Sequence, residues 1–296
     1  MTKKSSRSTG KIRVAAVQMM FAATIEANLR KLDLAVRVAA KRDADAVLFP
    51  ECATTGYGID FTRLKRADIS QSLEHLSELA ARYRINLLVG TPVFKGRQLF
   101  NCLVVFDRLG MPIHCYAKCQ LTNQDRRYFT PGDAISLFQI DEAPATAIIC
   151  HERRYPELVR LACMAGAKIL FHPNAGLDSL VVSKTKRKGN DGITARAFEN
   201  AIYYVFANSV GRQRGGKWSA GDSKIVGPDR SFLQLADNQS ESVIVATLDL
   251  ANATRAYPQE SMEHPKFLKP TWKHLVSEIR KNSRSSTLGF DLPGMA

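Results

Sequence analysis

No run of about 18 apolar residues occurs in this 296-residue chain, so no transmembrane helix is expected. No secretory hydrophobic segment opens it either. Its six cysteines (Cys52, Cys102, Cys115, Cys119, Cys150 and Cys163) are scattered rather than paired in a framework. The expectation is a cytoplasmic protein with free thiols. Zinc is not expected: Cys115 and Cys119, beside His114, have three residues between them, and no second pair with ligand spacing follows. A glycine-rich phosphate loop, an RNP motif and a zinc-finger pattern are all missing, so specific nucleic-acid binding is not expected. Acid is absent from residues 1–13, which carry Lys3, Lys4, Arg7, Lys11 and Arg13. A second basic patch is Lys184, Lys186, Arg187 and Lys188. A third spans residues 266–284, with six bases against Glu278. Together these patches account for the net charge of +14. They read as solvated surface; salt-sensitive contact with RNA or an acidic membrane is the alternative.

What is present is an ordinary globular composition, 45% hydrophobic and 24% charged. Residues 1–11 read as a disordered basic tail. From residue 12, short apolar runs alternate with helical patterns. Strands are expected at Ile12–Val17, Ala46–Phe49, Ile85–Val89, Leu99–Phe106, Pro112–Tyr116, Lys168–His172, Tyr203–Ala207, Lys224–Val226 and Ser242–Leu248. Helices are expected over 28–40, with Leu29, Leu32, Leu34, Ala35, Val36 and Val38 as its apolar face, and over 70–84 and 194–201. No linker divides residues 12–250, which predicts one layered α/β domain. Residues 251–296 break the pattern with Pro258, Pro265 and Pro270 and a basic helix near 272–281. They read as an extended C-terminal arm suited to a subunit interface.

The pattern centres on Ala145-Thr-Ala-Ile-Ile-Cys150-His-Glu-Arg-Arg-Tyr-Pro156. An apolar, β-branched run ends at a cysteine. A polar turn follows, and Pro156 enters the first turn of a helix, where its missing N–H costs nothing. A thiol beside a helix start suits a nucleophile. Taken alone it equally suits a small core cysteine. Glu51 and Lys118 share its context, each ending an apolar strand. A buried carboxylate can take a thiol proton, and an ammonium can stabilise the oxyanion formed when sulfur attacks carbon. The backbone N–H of His151 is a natural second donor. Singly, Glu51 also reads as a capping carboxylate and Lys118 as a surface charge.

Taken together, these residues resemble the nitrilase, or carbon–nitrogen hydrolase, superfamily from about residue 12 to 250. The likeness rests on Val14-Ala-Ala-Val-Gln-Met19, Leu48-Phe-Pro-Glu51, Thr55-Gly-Tyr57, Tyr116-Ala-Lys118 and Tyr128-Phe-Thr-Pro-Gly-Asp133. It continues through Cys150-His-Glu-Arg-Arg-Tyr-Pro-Glu157, Ala195-Arg-Ala-Phe-Glu-Asn200, Ala207-Asn208 and Gly221-Asp-Ser-Lys-Ile-Val-Gly-Pro228. The resemblance implies a four-layer αββα sandwich, usually doubled in a homodimer or larger homo-oligomer, with no metal or organic cofactor. It implies Glu51 as base, Lys118 as stabiliser of the tetrahedral intermediate, and Cys150 as nucleophile towards a small amide.

One position departs from the family pattern. A second glutamate commonly follows the lysine by seven residues; here it is Asp125, one methylene shorter. It either reaches its partners through water or a backbone shift, or supports Lys118 less well. The second outcome would fit a catalytically degenerate binding or scaffold protein. Arg153 and Arg154 are similar to the arginine pair that helps hold a substrate carboxylate in N-carbamoyl-D-amino-acid amidohydrolases. Alternatively they brace the turn against Glu152 or Glu157. Tyr57, Tyr155 and Asn174 are pocket-wall candidates by position, and His172 reads as strand cap or substrate contact.

Overall fold

The computed structural model describes residues 10–185 and 192–294. The first half runs β1 (Lys11–Gln18), α1 (Ile25–Lys41), β2 (Ala46–Leu48), α2 (Arg66–Tyr83), β3 (Asn86–Lys95), β4 (Gln98–Phe106) and β5 (Pro112–Ala117). Then come β6 (Phe138–Ile140), β7 (Ala143–Ala147), α3 (Pro156–Ala165), β8 (Ile169–Asn174), α4 (Leu180–Thr185), α5 (Ala195–Asn200) and β9 (Tyr203–Asn208). The chain closes with β10 (Val210–Arg212), β11 (Trp218–Ala220), β12 (Lys224–Val226), β13 (Phe232–Leu235), β14 (Ser242–Asp249), α6 (Ala256–Ser261) and α7 (Lys269–Ser283).

Two six-stranded sheets form, in the orders β14-β1-β2-β3-β4-β5 and β13-β12-β9-β8-β7-β6. Strand alternation sorts side chains between layers. On β1, Val14 and Ala16 enter the core between the sheets, joined by Leu48, Leu88, Phe171, Val205 and Ile225. Ala15 and Val17 face α1 and α2 instead. Leu170, Tyr204 and Val226 face α3 and α5 on the far side. Helix, sheet, sheet, helix is the expected αββα order. Strands buried on both faces explain why their sequences read as unbroken apolar runs.

Some details differ from the sequence reading. The first strand begins at Lys11, inside the expected tail, where Lys11 pairs with Asp249; residues 1–9 lie outside the described set, as do Lys186, Arg187 and Lys188 of the basic loop. On α1 the buried face is Leu32, Ala35, Val36 and Ala39, while Leu34 is 59% exposed. Position 34 lies about 200° around the helix from 32, off the stripe. Strands β6, β10, β11 and β13 have only three or four residues, too few for a period-2 signal.

The C-terminal segment is not extended; it folds back over its own body. Trp272, Val276 and Ile279 of α7 pack on Leu161, Met164 and Ala165 of α3. Arg280 donates from Nε and Nη2 to the Ala165 carbonyl, both at 3.1 Å. Further on, the Asp291 amide donates to the Phe94 carbonyl (2.9 Å), and Leu292 is buried against the first sheet's core.

Candidate active site

Three strand ends converge across the interface between the sheets. Glu51 follows β2 by three residues, and its turn lies against β3 at Gly90. A Cβ on Gly90 would sit 2.2 Å from the Pro50 carbonyl oxygen and 2.6 Å from Glu51 Cα, so only glycine allows this approach. Lys118 directly follows β5. Its backbone is held by Asn101 (N–H to carbonyl, 2.8 Å) and by the Gly132 amide, which donates to the Lys118 carbonyl at 2.9 Å. A Cβ at Gly132 would meet the Ala117 oxygen at 2.2 Å. Cys150 arrives from the second sheet, just past β7, with φ +49°. That left-handed conformation is uncommon for a residue with a side chain, and it occurs here at the junction where a strand turns into a short 3-10 helix.

Lys118 is fully buried between two carboxylates. Its Nζ lies 2.7 Å from Glu51 Oε1 and 2.9 Å from Asp125 Oδ2. Glu51 also accepts from Asn101 Nδ2 (2.8 Å) and, through Oε2, from the Ala175 amide (3.2 Å). Asp125 accepts from Tyr57 OH (2.5 Å) and the Thr122 amide (3.0 Å). The shorter carboxylate therefore reaches Lys118 directly. Asp125 opens a short 3-10 turn, Asp125–Arg127, and its carbonyl accepts from the Phe129 amide (2.8 Å).

These contacts set the protonation states. Burial pulls Lys118 down, but the charges of Glu51 and Asp125 outweigh it and hold the ammonium. Burial pushes Asp125 up, yet Lys118 and the Tyr57 hydroxyl prevail, and its carboxyl stays below the usual range. Cys150 is pushed up to about 12, by burial first and then by Glu51, while Lys118 and the Ala175 amide oppose. Its resting form is thus a thiol that needs a base. Tyr57 is raised well above its ordinary value by burial and the two carboxylates, so it remains a donor.

The other sequence candidates fall in different places. Asn174 is buried and pairs with Asn208 Oδ1 (2.8 Å), which also receives the Gly176 amide (3.2 Å). It shapes the turn that presents the Ala175 N–H to Glu51. His151 and Tyr155 meet edge-to-face at 5.8 Å on the partly open side of the Cys150 turn. Arg154 is exposed and Arg153 half-buried. Among the described residues neither guanidinium joins an ion pair. Bracing by Glu152 is ruled out because that carboxylate is otherwise engaged. Glu152 is fully buried and accepts from Ile149 N (2.6 Å), Cys119 N (2.7 Å), Tyr116 OH (2.9 Å) and Gln120 N (3.1 Å). It clamps the loop after Lys118 to the Cys150 turn. Sequence reasoning missed this role, as it missed Asn101, Ala175, Gly90 and Gly132. The one available signal was the placement of Glu152 three residues into the turn, where a carboxylate caps free amides. Among the described residues no group of three or more His, Cys, Asp or Glu side chains is arranged to hold a metal ion.

Comparison with known proteins points the same way. The family model for carbon–nitrogen hydrolases matches residues 13–258. A probable nitrilase of Schizosaccharomyces pombe is 30% identical over 257 residues, covering 82% of this chain and 90% of that protein. A 2-oxoglutaramate amidase of Bacillus subtilis is 26% identical over 234 residues, 75% of this chain and 85% of that one. Among solved structures, an amidase from Nesterenkonia sp. AN1, carrying the acetamide moiety of fluoroacetamide on its active-site cysteine, superposes with a TM-score of 0.77 at 24% identity. That match covers 90% of this chain and 98% of the other.

Proposed function

The chain belongs to the carbon–nitrogen hydrolase family, and on that footing we propose that it cleaves the C–N bond of a small linear amide or N-carbamoyl compound through a thioester on Cys150. The observation that carries this is the buried Lys118 ammonium, fixed between Glu51 and Asp125 beside a neutral thiol. Glu51 takes the thiol proton as sulfur attacks the substrate carbon. Negative charge develops on the substrate oxygen. Lys118 spends two of its three N–H groups on carboxylates, leaving one for that oxygen, and the His151 amide supplies the second donor. The C–N bond breaks, and the leaving nitrogen takes the proton held by Glu51. Water, deprotonated by the same carboxylate, then attacks the thioester, releasing the acid and restoring the thiol.

Tyr57 and Asp125 hold Lys118 in place through both steps. Asp125 touches the lysine directly, so the shorter side chain gives no ground for an inactive scaffold. Arg153 and Arg154, lacking ion-pair partners among the described residues, are suited to a substrate carboxylate. Tyr155 and His151 would line the same open side. The chain is further proposed to act as a homodimer. Phe198 and Tyr257, 50% and 47% exposed with ring centroids 6.3 Å apart, offer an apolar surface for a second copy.

The test is intact mass after brief exposure to small amides and N-carbamoyl amino acids, with Cys150→Ala alongside. A mass gain matching the acyl or carbamoyl group, on the wild type only, is expected. No adduct and no released ammonia across the panel would refute the proposal.

A further inference from the structure

One buried histidine behind the nucleophile turn has no part in the steps above. His172 lies on β8, fully buried, on the helix-covered side of the second sheet against Tyr204 and Phe206 (ring centroids 5.9 and 5.0 Å). Its Nε2 is 3.1 Å from the Cys150 carbonyl oxygen. Its Nδ1 is 2.8 Å from the Tyr204 hydroxyl. A carbonyl can only accept, so Nε2 carries a proton and donates it. The acceptor belongs to the residue held at φ +49°.

The geometry of that peptide has a consequence for its other end. A trans peptide points C=O and N–H in opposite directions. With the Cys150 carbonyl drawn towards His172 on the helix side, the His151 N–H turns to the inter-sheet side, where Cys150 packs against the core between the sheets. Among the described residues that N–H has no backbone acceptor. We propose that His172, backed by Tyr204, is a positioning residue: it sets the Cys150–His151 peptide so that the His151 N–H meets the oxyanion formed when sulfur attacks. A hydrogen bond on the carbonyl also polarises the peptide and strengthens its N–H as a donor. The inference rests on the hydrolase reading given above.

The test compares one amide that the wild type turns over with its thionoamide, in wild type, His172→Leu, His172→Gln and Tyr204→Phe. Sulfur accepts hydrogen bonds poorly, so the preference for the oxoamide reports the oxyanion donors. In His172→Leu, kcat should fall roughly 10- to 100-fold, KM should stay within about twofold, and the oxo-to-thiono preference should narrow. His172→Gln, with an amide N–H near the Nε2 position, should recover most of kcat. Tyr204→Phe should lie between them, and it and His172→Gln carry the test if His172→Leu does not fold. Equal loss on both substrates, or a raised KM at constant kcat, would overturn the positioning role. Full kcat in a folded His172→Leu enzyme would overturn it while leaving the hydrolase intact. A wild type inert on every amide would overturn both.

Discussion

Lengthening Asp125 to the glutamate common at this position is expected to weaken the enzyme. Both carboxylate oxygens are already engaged, one with Tyr57 OH at 2.5 Å, the other with Lys118 Nζ at 2.9 Å and the Thr122 amide at 3.0 Å. The side chain is fully buried, so an added methylene has no solvent to enter. It must push Lys118 or Tyr57 aside or unwind the short turn beneath it. Overpacking of this kind costs about 1–3 kcal/mol. With an unfolding entropy near 2.1 cal/mol/K per residue, a chain of this length should lose about 2–5 °C in Tm. If the same cost falls on the transition state, kcat/KM drops by about 5- to 150-fold. Calorimetry and steady-state hydrolysis of the best amide measure the two effects. A glutamate variant with unchanged Tm and higher kcat/KM would show that Asp125 is an under-reaching substitute, and the saturated geometry argued here would be wrong.

Other consequences are as direct. Gly90→Ala drives a methyl into the Pro50–Glu51 backbone; displacing the base by about 1 Å should cost on the order of 100-fold in kcat/KM, and wild-type kinetics in this variant would contradict the packing. Glu152→Ala strands four donors, so denaturant unfolding should show a loss of about 3 kcal/mol or more; less than about 1 kcal/mol would mean the clamp is dispensable. The Cys150 thiol is raised on folding from an ordinary 9 to about 12. Its folded state therefore holds the proton more tightly, and this contribution is full below about pH 8.5 and lost as pH climbs towards 12. Between about pH 8 and 10.5 the wild type should lose more stability than Cys150→Ala, and parallel curves would refute the shift. Phe198→Glu should lower the sedimentation mass to that of one chain if that surface joins two copies.

The sequence carried the fold class because the inner strands of both sheets are buried on both faces and announce themselves as apolar runs. It singled out Glu51, Lys118 and Cys150 as candidates because each stands where such a run stops. What it could not carry was direction. Nothing in the string Cys-His-Glu-Arg-Arg tells which of two neighbouring charges turns inward; Glu152 does, taking four donors, and Arg154 does not. Asp125 looked short because side-chain length is legible in a sequence and the distance to Lys118 is not. The C-terminal segment misled for a related reason. Leu288, Phe290 and Leu292 alternate over only five residues before Pro293, too short a pattern to mark an element, yet Phe290 and Leu292 dock on the first sheet's core.

The division of the reactive groups between two sheets has a further meaning for the life of the chain. Base and cation belong to one sheet and the thiol to the other, and they meet only when the two layers close on each other. Before that, Cys150 on a half-built molecule has no carboxylate to take its proton and no ammonium to steady a product. Under the mechanism proposed above, a nascent or partly opened chain would therefore be silent towards amides. On that mechanism catalysis would report on assembly: no turnover precedes the closing of the two layers on each other.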